Sequence, residues 1–297
     1  MIRPKPGHRS FDFACLFLLG ALWGSSYLFI RIAAPVLGSV TLMATRSVIA
    51  VVVLLLCLAL RGPFPDFRKH WRHFLVIGWF GTAIPFVMAG NAVIHMNASI
   101  PAILNATTPM FTALLATIWL GEPFRLRTGA GVLLGVTGVV TLVGWSPLPL
   151  TPKVLFAAAQ AVLAASAYGF TAVYARRWLS GISPLQSATG QLIFSAALLV
   201  SFAAAQPPAR LPGPALLAVA ALGIACTALA YLLYYHLIAA LGAMAGSIVT
   251  FLVPCFSLAW GVLLLGEPLT LGVVLGMGMI LLSVRLVLGG GTSRSER

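Results

Sequence analysis

The tetrapeptide Leu-Gly-Glu-Pro occurs twice in this chain, as Leu120–Pro123 and as Leu265–Pro268, so that the two copies lie 145 residues apart. The chain has only five acidic residues, and two of its glutamates stand in this repeated phrase. Two explanations are open at this point. Either the glutamates form a catalytic pair, or the chain contains an internal duplication.

The offset of 145 residues also relates other positions without a gap. Trp23 corresponds to the aromatic Tyr168, and Arg46 corresponds to Gln191. Identical residues at this offset are the pairs Gly24/Gly169, Arg31/Arg176, Gly78/Gly223, Thr82/Thr227, Pro109/Pro254, Phe111/Phe256, Leu126/Leu271 and Gly131/Gly276. One constant offset over this length indicates duplication, and we predict two homologous halves, residues 1–148 and 149–297.

Composition places the chain in the membrane. Hydrophobic residues make up 60% of the sequence and charged residues only 8%, with a mean hydropathy of +1.04, whereas a soluble domain carries roughly 25% charged residues. The net charge of +13 would fit a nucleic-acid partner, but the basic residues stand singly or in small clusters between apolar runs. We therefore predict an integral membrane protein that contacts the lipid bilayer and no nucleic acid.

Ten apolar runs are long enough to cross a bilayer, which takes about 20 residues. They cover approximately 11–34, 39–60, 73–94, 98–120, 126–145, 153–176, 184–205, 213–238, 244–265 and 270–288. The connections between them are short, and none has room for a soluble domain. The sequence thus predicts an all-α integral membrane protein, with ten transmembrane helices in two five-helix repeats that form one membrane domain.

The basic residues predict the orientation of these helices. With the N-terminus in the cytoplasm, most lysines and arginines lie on the cytoplasmic side, and only Arg31, Lys153 and Arg210 lie outside, in agreement with the positive-inside rule. Because each half has an odd number of spans, the second half enters the membrane with inverted topology. Inverted repeats are typical of secondary transporters, which bind substrate near the midplane. We predict transport by alternating access, with both termini cytoplasmic.

The chain lacks the residue patterns of an enzyme or of an ATP-driven pump. No P-loop, nucleophile triad or metal-ligand spacing occurs in the sequence, and its acidic residues lie at span ends or in loops. Glu122 and Glu267 would then lie on opposite sides of the membrane, each near the positive start of the next helix. We predict a protein that is not an enzyme and that uses neither a cofactor nor a metal.

Arg46 is the one clear charge inside a predicted span. Ionisable groups within the membrane are costly and usually functional, which makes Arg46 a candidate partner for a substrate carboxylate. The alternative is a structural arginine that snorkels to the interface or caps backbone carbonyls.

Three prolines are candidate hinges. Pro109 and Pro254 each free the backbone carbonyl four residues earlier, which belongs to Asn105 and to Thr250 respectively. Each freed carbonyl, beside its polar side chain, either faces the substrate or belongs to a packing kink. Pro85 is the third candidate hinge.

Aromatic and polar side chains of four spans complete the predicted site. Span eight carries Tyr231, Tyr235 and His236, and Asn91 corresponds to His236 in the first half. His236 is also a candidate for a proton-coupling role, and the alternative is a structural histidine. The other candidates, which have aromatic or thioether side chains, are Trp23, Tyr27, Tyr168 and Met88. These residues either line an apolar-aromatic pocket with few polar anchors or pack against lipid and neighbouring helices.

Two Gly-x-x-x-Gly motifs, Gly131/Gly135 and Gly272/Gly276, lie in spans five and ten. Small residues at this spacing allow helices to approach closely. The motifs either join two copies of the chain or join the two halves within one copy, and we favour the second. We accordingly predict a monomer or a weak homodimer.

Several features together resemble the drug/metabolite transporter superfamily in its EamA-type branch. They are the ten spans in two halves, the stretch ALWGSSY at Ala21–Tyr27, and the Leu-Gly-Glu-Pro phrase after each fourth helix. The chain is also similar to aromatic amino acid exporters of the YddG type. The resemblance implies export of metabolites across a bacterial inner membrane, through a cavity between helices one, three, four, six, eight and nine.

The expected function is therefore export of a small amphipathic metabolite, an aromatic or bulky apolar amino acid. Efflux of drugs or organic cations is the alternative within transport. A membrane-embedded enzyme or a lipid-handling protein is the alternative from another class.

Overall fold

The structure, a computed structural model, describes residues 6–61, 64, 66–145, 150–205, 212–241 and 243–288. Within these ranges, the side chains of 6–10, 61, 184, 235, 238–241, 243–248, 250 and 288 are not described. The described residues form helices and connecting turns, with no strand among them. The predicted all-α class is confirmed.

Thirteen α-helices and two π-helical turns make up the described chain. The helices are α1 Pro6–Leu37, α2 Ser39–Arg61, α3 Phe67–Gly78, α4 Ile84–His95, α5 Ser99–Asn105, α6 Thr108–Leu120, α7 Leu126–Gly144, α8 Pro152–Trp178, α9 Pro184–Ala203, α10 Gly213–Gly223, α11 Ala230–Leu241, α12 Ala243–Leu265 and α13 Leu271–Leu288. Over these residues, eight helical segments are long and apolar enough to cross a membrane. The last two predicted spans correspond to α12 and α13, whose fully described parts include the apolar helical stretches Phe251–Leu265 and Leu271–Val287.

The π-helical turns lie at equivalent places in the chain. The first, Trp79–Ala83, joins α3 to α4, and the second, Ile224–Leu229, joins α10 to α11. Their first residues are 145 positions apart, the same offset that relates the two Leu-Gly-Glu-Pro phrases. A π-helical turn widens the helix and frequently marks a functional site. Pro85, a candidate hinge, is buried at the start of α4, directly after the first of these turns.

The two Leu-Gly-Glu-Pro phrases form matching turns. Gly121 ends α6 with φ of +69°, and Gly266 follows α12 with φ of +66°. Glycine adopts this left-handed conformation without the steric cost that other residues meet, which is why it commonly ends helices. The glutamate that follows donates its backbone N–H to the last turn of the helix, at 3.3 Å for Glu122 and at 3.0 Å for Glu267.

Pro109 and Pro254 act differently on their helices. Before Pro109, α5 ends at Asn105 and α6 begins at Thr108. The Thr108 hydroxyl donates to the Asn105 carbonyl at 2.7 Å, so the carbonyl that the proline frees is already satisfied. By contrast, α12 continues through Pro254. Only the first of the two candidate kinks therefore interrupts its helix.

The most extensive helix contacts join the N-terminal and C-terminal parts of the chain. These contacts are α7 with α13, α1 with α12, α2 with α9, and α8 with both α4 and α6. Glycines of the two Gly-x-x-x-Gly motifs lie in the contact between α7 and α13. A Cβ on Gly276 would lie 2.8 Å from the Leu142 backbone, and one on Gly131 would lie 3.0 Å from the Ser283 carbonyl oxygen. These glycine faces therefore pack within one chain.

We expect Gly276→Ala to lower the melting temperature of the purified protein, whereas Gly278→Ala should leave it nearly unchanged. The added Cβ at position 276 would meet backbone atoms that cannot move aside, and overpacking of this kind costs about 1–3 kcal/mol. A Cβ on the exposed Gly278 meets no atom within 4 Å. A thermal melt in detergent measures both variants, and equal melting temperatures would show that α7 and α13 do not need this close approach.

Candidate substrate-binding cavity

A cavity of about 380 Å³ lies where the N-terminal and C-terminal helices meet. Small-molecule sites in proteins typically measure ~300–1,000 Å³, so the space is sufficient for a metabolite. Both π-helical turns contribute to its wall, through Gly81 and Cys226, and α1, α2, α8 and α11 contribute aromatic or charged side chains. The two widened helix turns therefore face the same space.

Six of the predicted binding residues line this cavity. They are Trp23, Tyr27, Arg46, Asn105, Tyr168 and Tyr231, and the candidate hinge Pro254 lies beside them. These side chains come from five helices that are distant in sequence, and the fold brings them together. The side chains of Tyr235 and Thr250, which were also predicted, lie outside the described residues.

The other predicted residues lie away from the cavity wall. Met88 and Asn91 are on α4, and the Asn91 amide donates to the Gln160 side chain on α8 at 2.5 Å. His236 pairs with Asp12 at 2.9 Å. Pro109 lies near the start of α6 and is absent from the described cavity lining. Asn91 and His236 thus serve contacts between helices in this structure.

Arg46 is buried, with only 6% of its surface exposed. Its Nε donates to the Thr227 hydroxyl at 2.7 Å, and its guanidinium carbon lies 4.2 Å from the centre of the Phe86 ring. Over the part of the chain that the structure describes, no carboxylate lines the cavity. A buried cation is expensive unless an anion or strong acceptors surround it. Arg46 therefore contributes a basic group to a cavity wall whose described lining has no acidic one.

Gln191 on α9 also lines the cavity, although the sequence patterns did not single it out as a binding residue. Its amide Nε2 donates to the Thr82 hydroxyl at 2.5 Å and to the Gly81 carbonyl at 3.1 Å. Thr82 belongs to the first π-helical turn, just as Thr227 belongs to the second. The signal that points to Gln191 is its 145-residue offset from Arg46.

Aromatic side chains form much of the remaining wall. Trp23 contacts the Tyr231 ring edge-on, with centroids 6.5 Å apart, and lies 5.3 Å from the Tyr234 ring. The Tyr27 hydroxyl lies close to the Asn105 side chain, and the Tyr231 hydroxyl lies close to Thr82. The cavity therefore combines flat apolar surfaces with hydroxyl and amide groups, a composition suited to a ligand with a planar apolar part and a polar end.

The two glutamates of the repeated phrase have different partners. Glu267 accepts bonds from the backbone N–H groups of Ala98 and Ser99 and, at 2.6 Å, from the Ser99 hydroxyl. It therefore caps the start of α5. We expected Glu267 near the start of the next helix, α13, but its hydrogen bonds go to α5. The unpaired N–H groups at the start of a helix attract a carboxylate from any part of the chain that can reach them. Glu122 instead pairs with Arg176 at 2.6 Å, and both side chains are exposed.

Comparison with known proteins identifies the family. Two segments, residues 13–144 and 155–289, match the sequence model of the EamA-like transporter family. The chain belongs to this family. The match confirms the resemblance to the EamA-type branch of the drug/metabolite transporter superfamily. The chain is accordingly a multi-pass membrane transporter.

Several relatives of this EamA-like protein match nearly their whole length. A transporter of Archaeoglobus fulgidus is 23% identical to this chain, and the alignment covers 92% of this chain and 96% of that transporter. The inner membrane transporter YedA of Escherichia coli K12 is 26% identical, over 93% of this chain and 90% of its own. A solved crystal structure covers 94% of this chain and 96% of its own, with a TM-score of 0.66 and 20% identity, and shows a shared fold. The names of the two transporters specify no substrate.

Proposed function

We propose that this EamA-like protein exports small amphipathic metabolites, namely aromatic or bulky apolar amino acids, by alternating access. The observation that carries this proposal is the buried Arg46 in an aromatic-walled cavity whose described lining contains no carboxylate. The guanidinium would hold the substrate carboxylate, since arginine is well suited to bind this planar anion through two hydrogen bonds. The rings of Trp23, Tyr168 and Tyr231 would hold the apolar side chain.

The proposed architecture is a ten-span bundle of two inverted five-helix halves, residues 1–148 and 149–297. The family model matches the chain twice, and both π-helical turns and both glycine turns recur at the 145-residue offset. Inverted halves are the architecture that alternating access commonly uses. The inner membrane location of YedA and the positive-inside distribution of basic residues support a bacterial inner membrane with both termini cytoplasmic.

The proposed transport runs down the substrate gradient without proton coupling. A proton-coupled carrier needs a group in the substrate path that binds and releases a proton near neutral pH, and a carboxylate or histidine usually serves. The described cavity lining contains neither, and His236 is engaged with Asp12 away from it. The positive charge of Arg46 also opposes permanent organic cations, which places efflux of such drugs behind amino acid export.

We expect vesicles that contain the purified protein to release radiolabelled tryptophan, phenylalanine and methionine faster than protein-free vesicles do. Release should depend on substrate concentration, and a pH gradient across the membrane should not alter it. Equal release from both kinds of vesicle would refute amino acid transport. A pH-dependent release would refute downhill transport and leave the substrate class standing.

A further inference from the structure

Arg46 and Gln191 are built into the structure in the same way. The two residues are 145 positions apart in the sequence. Each side chain donates a hydrogen bond to a threonine hydroxyl of a π-helical turn. Arg46 reaches Thr227 and Gln191 reaches Thr82, so each bond joins the two proposed halves. The difference between them is chemical. A guanidinium carries only donors, whereas an amide carries donors and an acceptor oxygen.

The orientation of the Gln191 amide follows from its partners. The Gly81 carbonyl can only accept a hydrogen bond, so the atom that faces it at 3.1 Å must be the amide nitrogen. The Gln191 nitrogen packs closely against Gly81, because a Cβ at position 81 would lie 3.1 Å from this nitrogen and 2.5 Å from Thr171. The nitrogen is therefore held by the first π-helical turn, and Oε1 is the atom of this side chain that suits a donor on a ligand.

We propose that Gln191 is a specificity-determining residue that accepts a hydrogen bond from the substrate ammonium group through Oε1. Arg46 binds the carboxylate, so the two equivalent positions form a site for a zwitterion. The site then selects an α-amino acid over a carboxylic acid that lacks the ammonium group, and over an amine that lacks the carboxylate. This assignment rests on the proposed function and specifies the substrate class of the same cavity.

Asn105, another amide on the cavity wall, is less suited to this task. Its Oδ1 accepts a hydrogen bond from the Thr108 hydroxyl at 3.4 Å, and its side chain lies close to the Tyr27 hydroxyl. Its backbone carbonyl accepts from the same hydroxyl. The carbonyl and Oδ1 of Asn105 are therefore already engaged in hydrogen bonds within the cavity wall.

Three ligands with the same ring separate the two ends of the proposed zwitterion site. They are tryptophan, indole-3-propionate, which lacks the ammonium group, and tryptamine, which lacks the carboxylate. Calorimetry would measure their affinity for the wild-type protein and for Gln191→Met, which keeps the length of the side chain but has no acceptor oxygen. We expect Gln191→Met to weaken the binding of tryptophan at least about tenfold, the effect of one hydrogen bond to a charged group, and to leave the binding of indole-3-propionate within about twofold.

Two further variants separate recognition from structure. Thr82→Val removes one partner of the Gln191 nitrogen and leaves Oε1 in place. It should therefore change the affinities for tryptophan and for indole-3-propionate by the same factor. Gln191→Glu adds a negative charge beside the ammonium position and should strengthen tryptamine, a gain that a poorly folded protein cannot show.

The outcomes distinguish this assignment from the function on which it rests. If wild-type protein with a normal thermal melt binds none of the three ligands, the proposed function fails, and the role of Gln191 fails with it. If tryptophan and indole-3-propionate bind and Gln191→Met weakens both equally, only the role of Gln191 is overturned.

Discussion

Arg46→Gln should abolish the protein-dependent release of amino acids from vesicles and weaken their binding by at least about 30-fold. Removing one partner of a buried, hydrogen-bonded charge pair costs about 2–5 kcal/mol, and each 1.4 kcal/mol corresponds to about tenfold in affinity. Glutamine can still donate to the Thr227 hydroxyl, so the contact with the second π-helical turn is preserved. Loss of binding would then report the missing charge.

Arg31 provides a matched control for this substitution. Its guanidinium donates to the carbonyls of Val93 at 2.8 Å and of Ile94 at 3.3 Å, so it is an arginine that caps backbone groups. Arg31→Gln should lower the melting temperature and leave substrate affinity unchanged. If Arg46→Gln behaves like Arg31→Gln in both measurements, Arg46 is structural.

Arg46→Lys tests the geometry as well as the charge. Lysine keeps the positive charge but cannot offer the planar pair of N–H groups that matches a carboxylate. We expect affinity between those of the wild type and Arg46→Gln. An affinity for amino acids equal to that of the wild type would show that charge alone is sufficient.

The family and the helices could be predicted from the sequence because they depend on local features. Apolar length and a constant offset can be read without knowing which helices touch. The different effects of Pro109 and Pro254 also have a local cause. Before Pro109, the hydroxyls of Thr107 and Thr108 satisfy carbonyls at the break, whereas the equivalent residues before Pro254 are Leu252 and Val253. Without hydroxyls, that break would leave its carbonyls unpaired in the membrane.

The cavity could be predicted only in part because membrane helices are apolar on every side. The sequence therefore does not show which polar side chain faces a neighbouring helix and which faces the cavity. Asn91 and His236 each meet a partner that is distant in sequence, Gln160 and Asp12 respectively. Gln191 was marked in the sequence only by its offset from Arg46, and its place beside a π-helical turn became visible only in the fold.

Glu267→Ala should open the cavity toward the side of the membrane on which the α12–α13 turn lies. Glu267 ties this turn to the start of α5 by three hydrogen bonds, two of them to backbone N–H groups. The contact joins the two proposed halves at one end of the bundle, where alternating access requires a seal that can break. Hydrogen bonds to a charged group are worth about 1.5–3 kcal/mol each, so alanine should favour the open state strongly.

Cys226 is a native reporter of this opening. It is buried and lines the cavity, and the other cysteines, Cys15, Cys57 and Cys255, can be replaced by alanine. A membrane-impermeant thiol reagent, added on the side of the α12–α13 turn, should label Cys226 at least about tenfold faster in Glu267→Ala than in the parent protein.

Glu122→Ala is the matched control, since it removes the same residue from the same four-residue phrase. Glu122 and its partner Arg176 are both exposed, with 41% and 66% of their side-chain surfaces accessible, and exposed ion pairs contribute about 0–1 kcal/mol. Labelling of Cys226 should therefore stay near the parent rate in Glu122→Ala. Equal rates in both variants would mean that Glu267 only caps α5 and does not hold this end closed. A selective increase in Glu267→Ala would mean that one copy of the duplicated phrase has become a gate, while the other remains a surface turn.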